Sequence, residues 1–500
     1  MWKLPTLETK PSSVSTDTDV VVVFQDAAKK AIAAKGPYAA VVARIRKGDS
    51  FEARCGSVQY VRFGGKRLAE NALFVGLGVE SELTEEKIRV AGANAWAKLQ
   101  AEKSKTAVVH LDPALGNKMV RAFAEGMVLA TYQFNKHKSA PTSKDKKFTG
   151  TTKLSFITKD NQLKKQLDAE FAELRAVGEA VTVTRDWSNE PSNVGTPEYF
   201  AAESQKLAKQ YGLKCTVLTE KDAEKEKMGL FIGVGAGSER EGRIVVLEYI
   251  PSTFAKNPTK TLALVGKGVT FDSGGISIKP SMRMEDMKHD MTGAATIMGA
   301  ILLASKWKVP NRVVAILAFT ENMPDGMAIQ PGNVLMSRAG KTVEIINTDA
   351  EGRLILADVL DYAHMFKPDA IVDAATLTGA VSVALGKHCC GILGNNEDLI
   401  DQIRKSGETH SERVWQLPLY DDYFEDMKSD TADMKNSVND GNGGTIRGAI
   451  FLKQFIKKDV PWAHLDIAAT AWNMGHLPYY PKRGASGAYV RTLAQFAADF

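Results

Sequence analysis

This chain has few of the features that mark secreted or membrane proteins. Its 500 residues include only 4 cysteines, and the one adjacent pair, Cys389 and Cys390, has neither zinc-site spacing nor a disulfide-framework pattern. No apolar run approaches the roughly 18 residues that a membrane span requires, and the N-terminus lacks the charged-then-apolar layout of a signal peptide. We expect a soluble protein of a reducing compartment, by default the cytoplasm.

The chain also lacks a strong charge of either sign. Its 64 basic and 59 acidic residues give a formal net charge of +5, too even a mixture to indicate attraction to nucleic acid or to a membrane. The lysine-rich stretch 136–153 is typical of a solvated loop rather than a nucleic-acid patch. The polar opening, residues 8–19, is typical of a tail and leaves organellar processing open.

Several familiar enzyme motifs are missing. The 8 histidines form no H-E-x-x-H, which disfavours single-zinc proteases, and no G-x-S-x-G supports a serine hydrolase. The glycine-rich segment 233–237 does not have the G-x-G-x-x-G spacing of a nucleotide loop, and no P-loop lysine follows it. These absences count against a single-zinc protease, a serine hydrolase and a nucleotide-binding protein.

The length and patterning predict two α/β domains, because 500 residues exceed what one hydrophobic core normally supports. Apolar runs alternate with amphipathic segments throughout the chain. Strands are predicted at 20–24, 41–45, 72–77, 107–111, 261–265, 312–319 and 370–374, and helices at 85–103, 117–134, 163–187, 294–307 and 354–366. We expect an N-terminal α/β domain (1–160), a connecting helix and linker (161–195), and a catalytic domain (196–500) with a mixed, mostly parallel central sheet flanked by helices.

Glycine-punctuated stretches between residues 261 and 353 hold the most informative feature of the sequence, which is a set of potential metal ligands. They are Lys267, Asp272, Asp290, Asp349 and Glu351. Hard oxygen donors near strand ends suit divalent metals, and shared carboxylates can bridge two of them. Any one of these residues alone is more typical of a surface salt bridge or a turn cap. Together they favour a two-metal hydrolase, with Lys267 placed just past a buried strand and deprotonated by the nearby dication.

The heptapeptide 347–353, Asn-Thr-Asp-Ala-Glu-Gly-Arg, resembles the signature of the leucine aminopeptidase family, the two-metal hexameric enzymes also called cytosol aminopeptidases. Similar patterns occur at 267–280, 287–295, 374–379, 414–419 and 444–452. The resemblance covers roughly residues 175–500 and is loose over the first 160. It implies an aminopeptidase that cleaves the N-terminal residue of peptides with a free amine, working as a homohexamer.

The resemblance also implies roles for the ligands. Lys267, Asp272, Asp290 and Glu351 would hold one divalent metal, and Asp272, Asp349 and Glu351 the other, with Asp272 and Glu351 as bridges. The expected ions are Zn²⁺ and/or Mn²⁺, with Mg²⁺ or Co²⁺ as alternatives. The two ions would activate a water and polarise the scissile carbonyl.

Two further charges match family positions that are not ligands. Lys279 would donate to the developing oxyanion. Arg353 would hold a bicarbonate ion that acts as the general base, and its alternative is a salt bridge to a neighbouring acid. His289, next to Asp290, is expected to pack rather than to ligate, because neighbours on a strand face opposite ways.

A pocket for the N-terminal side chain is implied at the family-matched positions Met287, Thr376, Gly379 and Ala468, with Leu377 hydrogen-bonding the substrate backbone. Lys267, Asp272, Lys279 and Asp290 also match substrate-contacting positions. An apolar pocket suits leucine or methionine with broad specificity. Met287 has core packing as its alternative.

Two other functions stay open at this point. The first is a catalytically weak or moonlighting hexameric scaffold, including a DNA-binding one, although every ligand position is filled and a nucleic-acid partner is disfavoured. The second is a carboxypeptidase, which would need a cation placed for a terminal carboxylate.

Overall fold

A computed structural model describes residues 4–10, 16–25, 38–47, 51–63, 69–110, 115–139, 150–158, 160–254 and 260–500. The chain divides into two compact units. The N-terminal unit comprises Met1–Glu179 with Gly475–Lys482, and the catalytic unit comprises Ala180–Met474 with Arg483–Phe500. The division falls inside a long helix that the sequence analysis places in the connecting segment 161–195.

The strands of the described residues are β1 (Thr6–Lys10), β2 (Thr16–Gln25), β3 (Val58–Arg62), β4 (Ala69–Val79), β5 (Thr106–His110), β6 (Lys153–Ile157), β7 (Lys214–Leu218), β8 (Arg243–Tyr249), β9 (Thr261–Asp272), β10 (Arg312–Asn322), β11 (Val334–Met336), β12 (Thr342–Glu344), β13 (Ala370–Ala375), β14 (Cys390–Gly394), β15 (Val414–Gln416), β16 (Met434–Lys435) and β17 (Trp462–Asp466).

The α-helices are α1 (Ala39–Lys47), α2 (Glu85–Ala101), α3 (Asn117–Leu129), α4 (Asn161–Asn189), α5 (Pro197–Tyr211), α6 (Glu220–Lys225), α7 (Gly229–Gly235), α8 (Thr292–Trp307), α9 (Gly352–Ala363), α10 (Gly379–Leu385), α11 (Glu397–Thr409), α12 (Gly444–Lys453) and α13 (Val490–Asp499). Short 3-10 helices span Glu80–Glu82, Met284–His289, His364–Phe366 and Asp421–Met427. Within the described ranges, no helix has both the length and the apolarity to cross a membrane.

The N-terminal unit is built on a sheet whose described strands have the order β1-β6-β5-β2-β4-β3. The pairs from β1 to β4 are parallel, and β3 runs antiparallel at one edge. The predicted tail at residues 8–19 is wrong. Its first residues form β1 and its last residues belong to β2, while 11–15 lie outside the described residues. A polar edge strand lacks the alternation that marks a half-buried one, so no pattern in these residues predicts it.

The predicted strand at 41–45 is also wrong, because these residues lie in α1. Tyr38 and Val42 are buried, and Val41 and Ile45 pack partly buried against the same core as Phe74 of β4. Apolar residues three and four apart face one side of a helix, and that helical spacing outweighed the β-branched composition. Residues 140–149 of the lysine-rich stretch lie outside the described residues, so its interpretation as a solvated loop stays a prediction.

The catalytic unit has a mixed, mostly parallel sheet, as predicted, with the order β15-β14-β17-β13-β9-β10-β8-β7 among its described strands. Neighbours β17, β13, β9 and β10 are parallel and form its centre. Both faces of β9 are covered, since Gly266 lies against Ala294 of α8 and Val265 belongs to the core that includes Leu354 of α9. The fold class expected from the sequence is therefore confirmed.

The central strands β9 and β10 are longer than predicted, and this changes where Lys267 lies. The strand predicted at 261–265 continues through two glycines to Asp272 because it stays paired with β10 along that length. Its pairing with β13 ends at Gly266, opposite Ala374. Lys267 is thus inside β9, at the point where one side of the strand becomes free, and its predicted position past the strand end is wrong.

Candidate metal centre

A β-bulge in β9 brings Lys267 and Asp272 to the same site. Their odd separation in sequence would place them on opposite faces of a regular strand. Thr320 of β10 pairs with Val269, whereas the next residue, Glu321, pairs with Phe271, so Thr270 is the extra residue of a bulge. A bulge shifts the alternation of the side chains that follow it. The side chain of Asp272 therefore reaches the cluster that contains Lys267.

Two other acidic residues lie directly before helices. Glu351 is the residue before α9, and Asp290 precedes α8 by two positions. The partial positive charge of a helix N-terminus favours carboxylates there. Glycine is required next to Glu351, because a Cβ on Gly352 would lie 2.4 Å from Cε of Lys267. The close approach of the lysine to the start of α9 thus depends on a missing side chain.

The ammonium group of Lys267 lies between two carboxylates. Its Nζ is 2.6 Å from Oδ2 of Asp290 and 3.0 Å from Oε1 of Glu351, and it donates a hydrogen bond of 2.9 Å to the carbonyl of Thr376. Burial alone would lower the pKa of Lys267, but the charges of Asp290 and Glu351 outweigh burial and raise it. The lysine is therefore charged in this arrangement, and a dication would have to displace its proton.

The ammonium group of Lys279 is likewise paired with two carboxylates, those of Asp272 and Asp349. Its Nζ lies 2.7 Å from Oδ2 of Asp272 and forms an ion pair with Oδ1 of Asp349. Burial would lower the pKa of Lys279, and the charges of Asp272, Glu351 and Asp349 raise it instead. Lys279 therefore belongs to the same charged cluster as the expected ligands.

The carboxylates of this cluster outnumber its lysines. Burial is the main cause that raises the pKa of Asp290 to about 6 and the pKa values of Asp349 and Glu351 to about 7. A carboxylate with a raised pKa lacks enough positive charge or hydrogen bonding around it. Additional cations would therefore stabilise the ionised form of these carboxylates.

The donor set also fits divalent metals in its geometry. One carboxylate oxygen from each of Asp272, Asp290 and Glu351 lies within 4.8 Å of the others, and all three residues are buried. Oε2 of Glu351 is buried and has no hydrogen-bond partner. Hard oxygen donors at this spacing suit ions such as Zn²⁺, Mn²⁺ and Mg²⁺. Asp349 is not part of this closest group, and its side chain is 33% exposed.

Arg353 lies in the first turn of α9, is buried, and lines the same cavity as the carboxylates. Its Nη1 donates a 2.8 Å hydrogen bond to the carbonyl of Asn436, while its buried Nε has no partner. Burial lowers the pKa of Arg353 to about 10. No carboxylate forms an ion pair with it in the residues that the structure describes, so its salt-bridge alternative is not supported. A buried guanidinium with a free N–H group has the chemistry of an anion site.

The expected pocket residues line one cavity of about 810 Å³ together with the metal ligands. Met287, Leu377, Gly379 and Ala468 border it, and Met287 is only half-buried, which counts against its core-packing alternative. A Cβ on Gly379 would meet no atom within 4 Å, so this position faces open space.

Thr376 lines the cavity and also bonds two of the expected ligands, a role that its sequence position did not indicate. Its hydroxyl donates a 2.7 Å hydrogen bond to Oδ1 of Asp290, and its carbonyl accepts the bond from Lys267. It therefore orients two of the expected ligands.

His289 is not on a strand, so the argument from alternating faces is wrong for it. It ends the 3-10 helix Met284–His289, where its Nδ1 bonds the carbonyl of Asp286 three residues earlier. Its ring stacks on Trp472 with centroids 5.0 Å apart. These contacts agree with packing rather than ligation.

Two asparagines and one aspartate around the site were not identified from the sequence. Asn322 donates from Nδ2 to Oδ1 of Asp272 (2.9 Å) and to the carbonyl of Thr348 (3.0 Å). Asn436 accepts from the N–H of Ile346 at 2.8 Å and so holds the signature loop. Asp466 binds loops that border the cavity. Asn322 and Asp466 end buried strands, and a polar residue at such an end was the available signal.

Comparison with known proteins agrees with this geometry. Residues 182–494 match the model of the cytosol aminopeptidase family, catalytic domain, and residues 20–141 match that of the same family's N-terminal domain. A probable cytosol aminopeptidase of Geobacter sp. (strain M21) is 42% identical over 91% of this chain and 90% of that protein. One from Azotobacter vinelandii is 39% identical over 98% of each chain.

A solved structure is also similar over nearly the full length. The bottromycin maturation enzyme BotP in complex with Mn has a TM-score of 0.83 and 33% identity, covering 97% of this chain and 99% of that chain. The family match therefore extends to the N-terminal unit, where the sequence resemblance was loose. On this evidence and that of the buried acidic cluster, the chain belongs to the cytosol aminopeptidase family and is a metal-dependent aminopeptidase.

Proposed function

We propose that this enzyme removes a leucine-like N-terminal residue, with broad specificity, from peptides whose α-amino group is free. The observation that carries the proposal is the buried cluster in which Asp272, Asp290 and Glu351 converge beside a cavity of about 810 Å³. The cavity is large enough for an amino-acid side chain and the start of the next residue. Its apolar border at Met287 and Ala468 supports an aliphatic preference.

In this proposal Lys267, Asp272, Asp290 and Glu351 hold one divalent ion, and Asp272, Asp349 and Glu351 hold the other. Zn²⁺ and Mn²⁺ are the proposed ions, with Mg²⁺ and Co²⁺ as alternatives. The Mn in the BotP structure supports manganese. When bound, the ions supply the Lewis acidity that activates a water and polarises the scissile carbonyl.

The two remaining cations have separate proposed tasks. Lys279, with a side chain 21% exposed at the cavity, donates to the oxyanion that develops on the substrate carbonyl. To do so it must exchange part of its contact with Asp272 or Asp349. Arg353 uses its free Nε to hold a bicarbonate ion that supplies the general base. The hydrogen bond from its Nη1 to the carbonyl of Asn436 fixes the direction of its N–H groups.

Leu377 can contact the substrate backbone through its carbonyl in this proposal, since its N–H is already bonded to Asp466 at 3.2 Å. Gly379 leaves room for the substrate side chain. We also propose a homohexamer and a cytoplasmic location. The first rests on the family resemblance, and the second is supported by relatives that are named cytosol aminopeptidases.

The test is hydrolysis of a panel of amino-acid amides after chelation and reconstitution with Zn²⁺, Mn²⁺, Co²⁺ or Mg²⁺. Leucine and methionine amides should be cleaved fastest, and the chelated enzyme should be inactive. Acetylating the N-terminus of a good dipeptide should abolish cleavage, whereas amidating its C-terminus should matter little. Cleavage of the acetylated dipeptide at the normal rate would contradict the free-amine requirement.

A further inference from the structure

Asp466, the last residue of β17, is a buried carboxylate that contacts neither a ligand of the metal cluster nor the expected substrate. It is fully buried, and its oxygens are directed at two loops. Oδ1 accepts hydrogen bonds of 3.2 Å from the N–H of Leu377 and 3.2 Å from the N–H of Ala468. Oδ2 accepts a 2.6 Å hydrogen bond from the hydroxyl of Thr378. One side chain therefore joins both loops.

These two loops follow neighbouring parallel strands and carry the walls of the cavity. Residues 376–379 follow β13 and lead into α10, where Thr378 caps the helix by accepting from the N–H of Val381 at 3.3 Å. Ala468 follows β17. Both loops line the same cavity as the metal ligands. The distance between its walls therefore depends on the carboxylate that holds the two loops.

The bonds to Asp466 are costly to lose because the hydroxyl of Thr378 is buried and the N–H groups of Leu377 and Ala468 are partly buried. A donor that is shielded from water and has no acceptor is destabilising, so the loops would move until other acceptors or water reached these groups. The hydroxyl of Thr378 also lies 2.9 Å from that of Thr445, which links the same loop to α12. Without Asp466, the position of Leu377 would be fixed less tightly relative to Ala468.

We propose that Asp466 is a positioning residue that sets the width of the pocket for the N-terminal side chain and the direction of the Leu377 carbonyl. This inference rests on the proposed function, because it assumes that the cavity between the two loops receives that side chain. Asp466 acts through two backbone N–H groups and the hydroxyl of Thr378, and it does not touch the substrate. Its task requires hydrogen-bond acceptors rather than a negative charge.

Because this role requires hydrogen-bond acceptors rather than a charge, asparagine should be able to replace Asp466. In Asp466→Asn the amide oxygen can keep the bonds to Leu377 and Ala468, while the amide nitrogen donates to the hydroxyl of Thr378. That hydroxyl has a second lone pair for Val381 and a proton for Thr445, so each of the three bonds made by Asp466 has a counterpart in the variant. Asp466→Ala removes all of these bonds. The two substitutions at one position therefore separate the loss of charge from the loss of positioning.

The experiment measures kcat and KM for alanine, valine, leucine, methionine and phenylalanine amides with metal-reconstituted enzyme. Asp466→Ala should lower kcat/KM for leucine amide by about 10- to 100-fold, because misplacement of an orienting group by about 1 Å has effects of this size. Its preference for leucine over alanine should fall by about tenfold as the pocket loses its fixed width. Asp466→Asn should retain the wild-type preference.

Asp373 provides the matched control, since it is equally buried, lies on the neighbouring strand β13, and bonds Trp462 and His464 rather than the loops. Asp373→Ala should reduce stability but leave the ratios among the amides unchanged. A merely structural role for Asp466 would lower all rates by one common factor. Unchanged ratios in folded Asp466→Ala, or equal shifts in both alanine variants, would overturn the inference.

Thr378 keeps the inference testable if Asp466→Ala does not fold. Thr378→Val removes the hydroxyl bond to Oδ2 and should shift the leucine-to-alanine ratio in the same direction by a smaller factor, whereas Thr378→Ser should retain the wild-type ratio. A folded Thr378→Val with wild-type ratios would overturn the proposal. Failure of the wild-type enzyme to require a free amine would instead contradict the proposed function, so the two failures are distinguishable.

Discussion

Glu351 and Glu412 are both fully buried glutamates of the catalytic unit, yet their surroundings are opposite. Glu412 accepts hydrogen bonds from Arg491 Nη2 (2.9 Å) and from the N–H and hydroxyl of Thr492 (3.1 and 2.6 Å). Glu351 has one oxygen 3.0 Å from Lys267, and its other oxygen has no hydrogen-bond partner. Burial acts on both, but Arg491 and these bonds lower the pKa of Glu412, whereas the pKa of Glu351 is raised to about 7.

The comparison shows what distinguishes a structural buried charge from a functional one. A buried carboxylate whose oxygens all accept hydrogen bonds from the protein needs no further partner. When a buried carboxylate borders a cavity and one of its oxygens accepts no hydrogen bond, a bound ligand has to supply the missing interaction. Burial and residue type are identical in the two cases, so the hydrogen bonds and the nearby charges decide the role.

The largest expected effect is on activity, from Glu351→Gln. The amide is nearly the same size but removes the charge that would bridge the two ions of the proposed function, so both ions should bind weakly. We expect kcat/KM for leucine amide to fall by about 10³-fold or more, since metal assistance supplies several kcal/mol of transition-state stabilisation. Thermal unfolding of the metal-free variant should match that of the metal-free parent. Nearly normal turnover in the variant would contradict the functional role assigned to Glu351.

The matched substitution Glu412→Gln should have the opposite outcome. Breaking a buried ion pair from one side costs about 3–5 kcal/mol, because Arg491 is left with an uncompensated charge. Denaturant unfolding should show this loss, while kcat and metal content stay at wild-type levels. A loss of activity in protein that is still folded would contradict the structural assignment of Glu412.

Glu412 should also make the stability of the fold depend on pH. Because its folded-state pKa is lowered, Glu412 stabilises the fold above its ordinary pKa of 4.5, and this contribution is lost as the pH falls through the lower folded value. Acid unfolding of Glu412→Gln should therefore be less steep than that of the wild-type enzyme. Identical acid transitions would show that Glu412 does not contribute to the acid sensitivity.

The two cations near the site extend the comparison to positive charges. Lys279→Ala should depress kcat by about 10²-fold with little change in KM, as expected for an interaction made mainly in the transition state. Arg353→Ala should be milder, about tenfold. In carbonate-depleted buffer the wild-type enzyme should respond to added bicarbonate and the Arg353 variant much less. Equal bicarbonate responses would return Arg353 to a purely structural role.

The last pair of variants changes two glycines that each begin a helix. Gly379, where the smallest effect is expected, faces open space, whereas Gly352 lies against Lys267. Gly379→Ala should leave stability within about 0.5 kcal/mol and shift the preference toward smaller substrate side chains by a few-fold, because the added Cβ meets only open space. Gly352→Ala should impair metal binding, because its Cβ would lie 2.4 Å from Cε of Lys267. Comparable activities in the two variants would contradict the assigned geometry of the cavity.

The sequence predicted the fold class and most central strands because buried parallel strands read as apolar runs, as in 312–319 and 370–374. It misplaces Lys267 because the apolar run ends at Val265, whereas pairing with β10 continues the strand to Asp272. The bulge at Thr270 has no composition signal. The expected ligands were found as residue types, but the contributions of Asn322 and Asp466 depend on which strand ends lie side by side, which only the topology determines.

The most direct test of the account is the metal content of three proteins, measured by mass spectrometry after reconstitution with Mn²⁺ or Zn²⁺ and removal of excess ions. We predict two ions per chain in the wild-type enzyme and in Glu412→Gln, and fewer than one in Glu351→Gln. Two tightly bound ions per chain in Glu351→Gln would contradict the claim that this unsatisfied buried carboxylate exists to bridge a pair of metals.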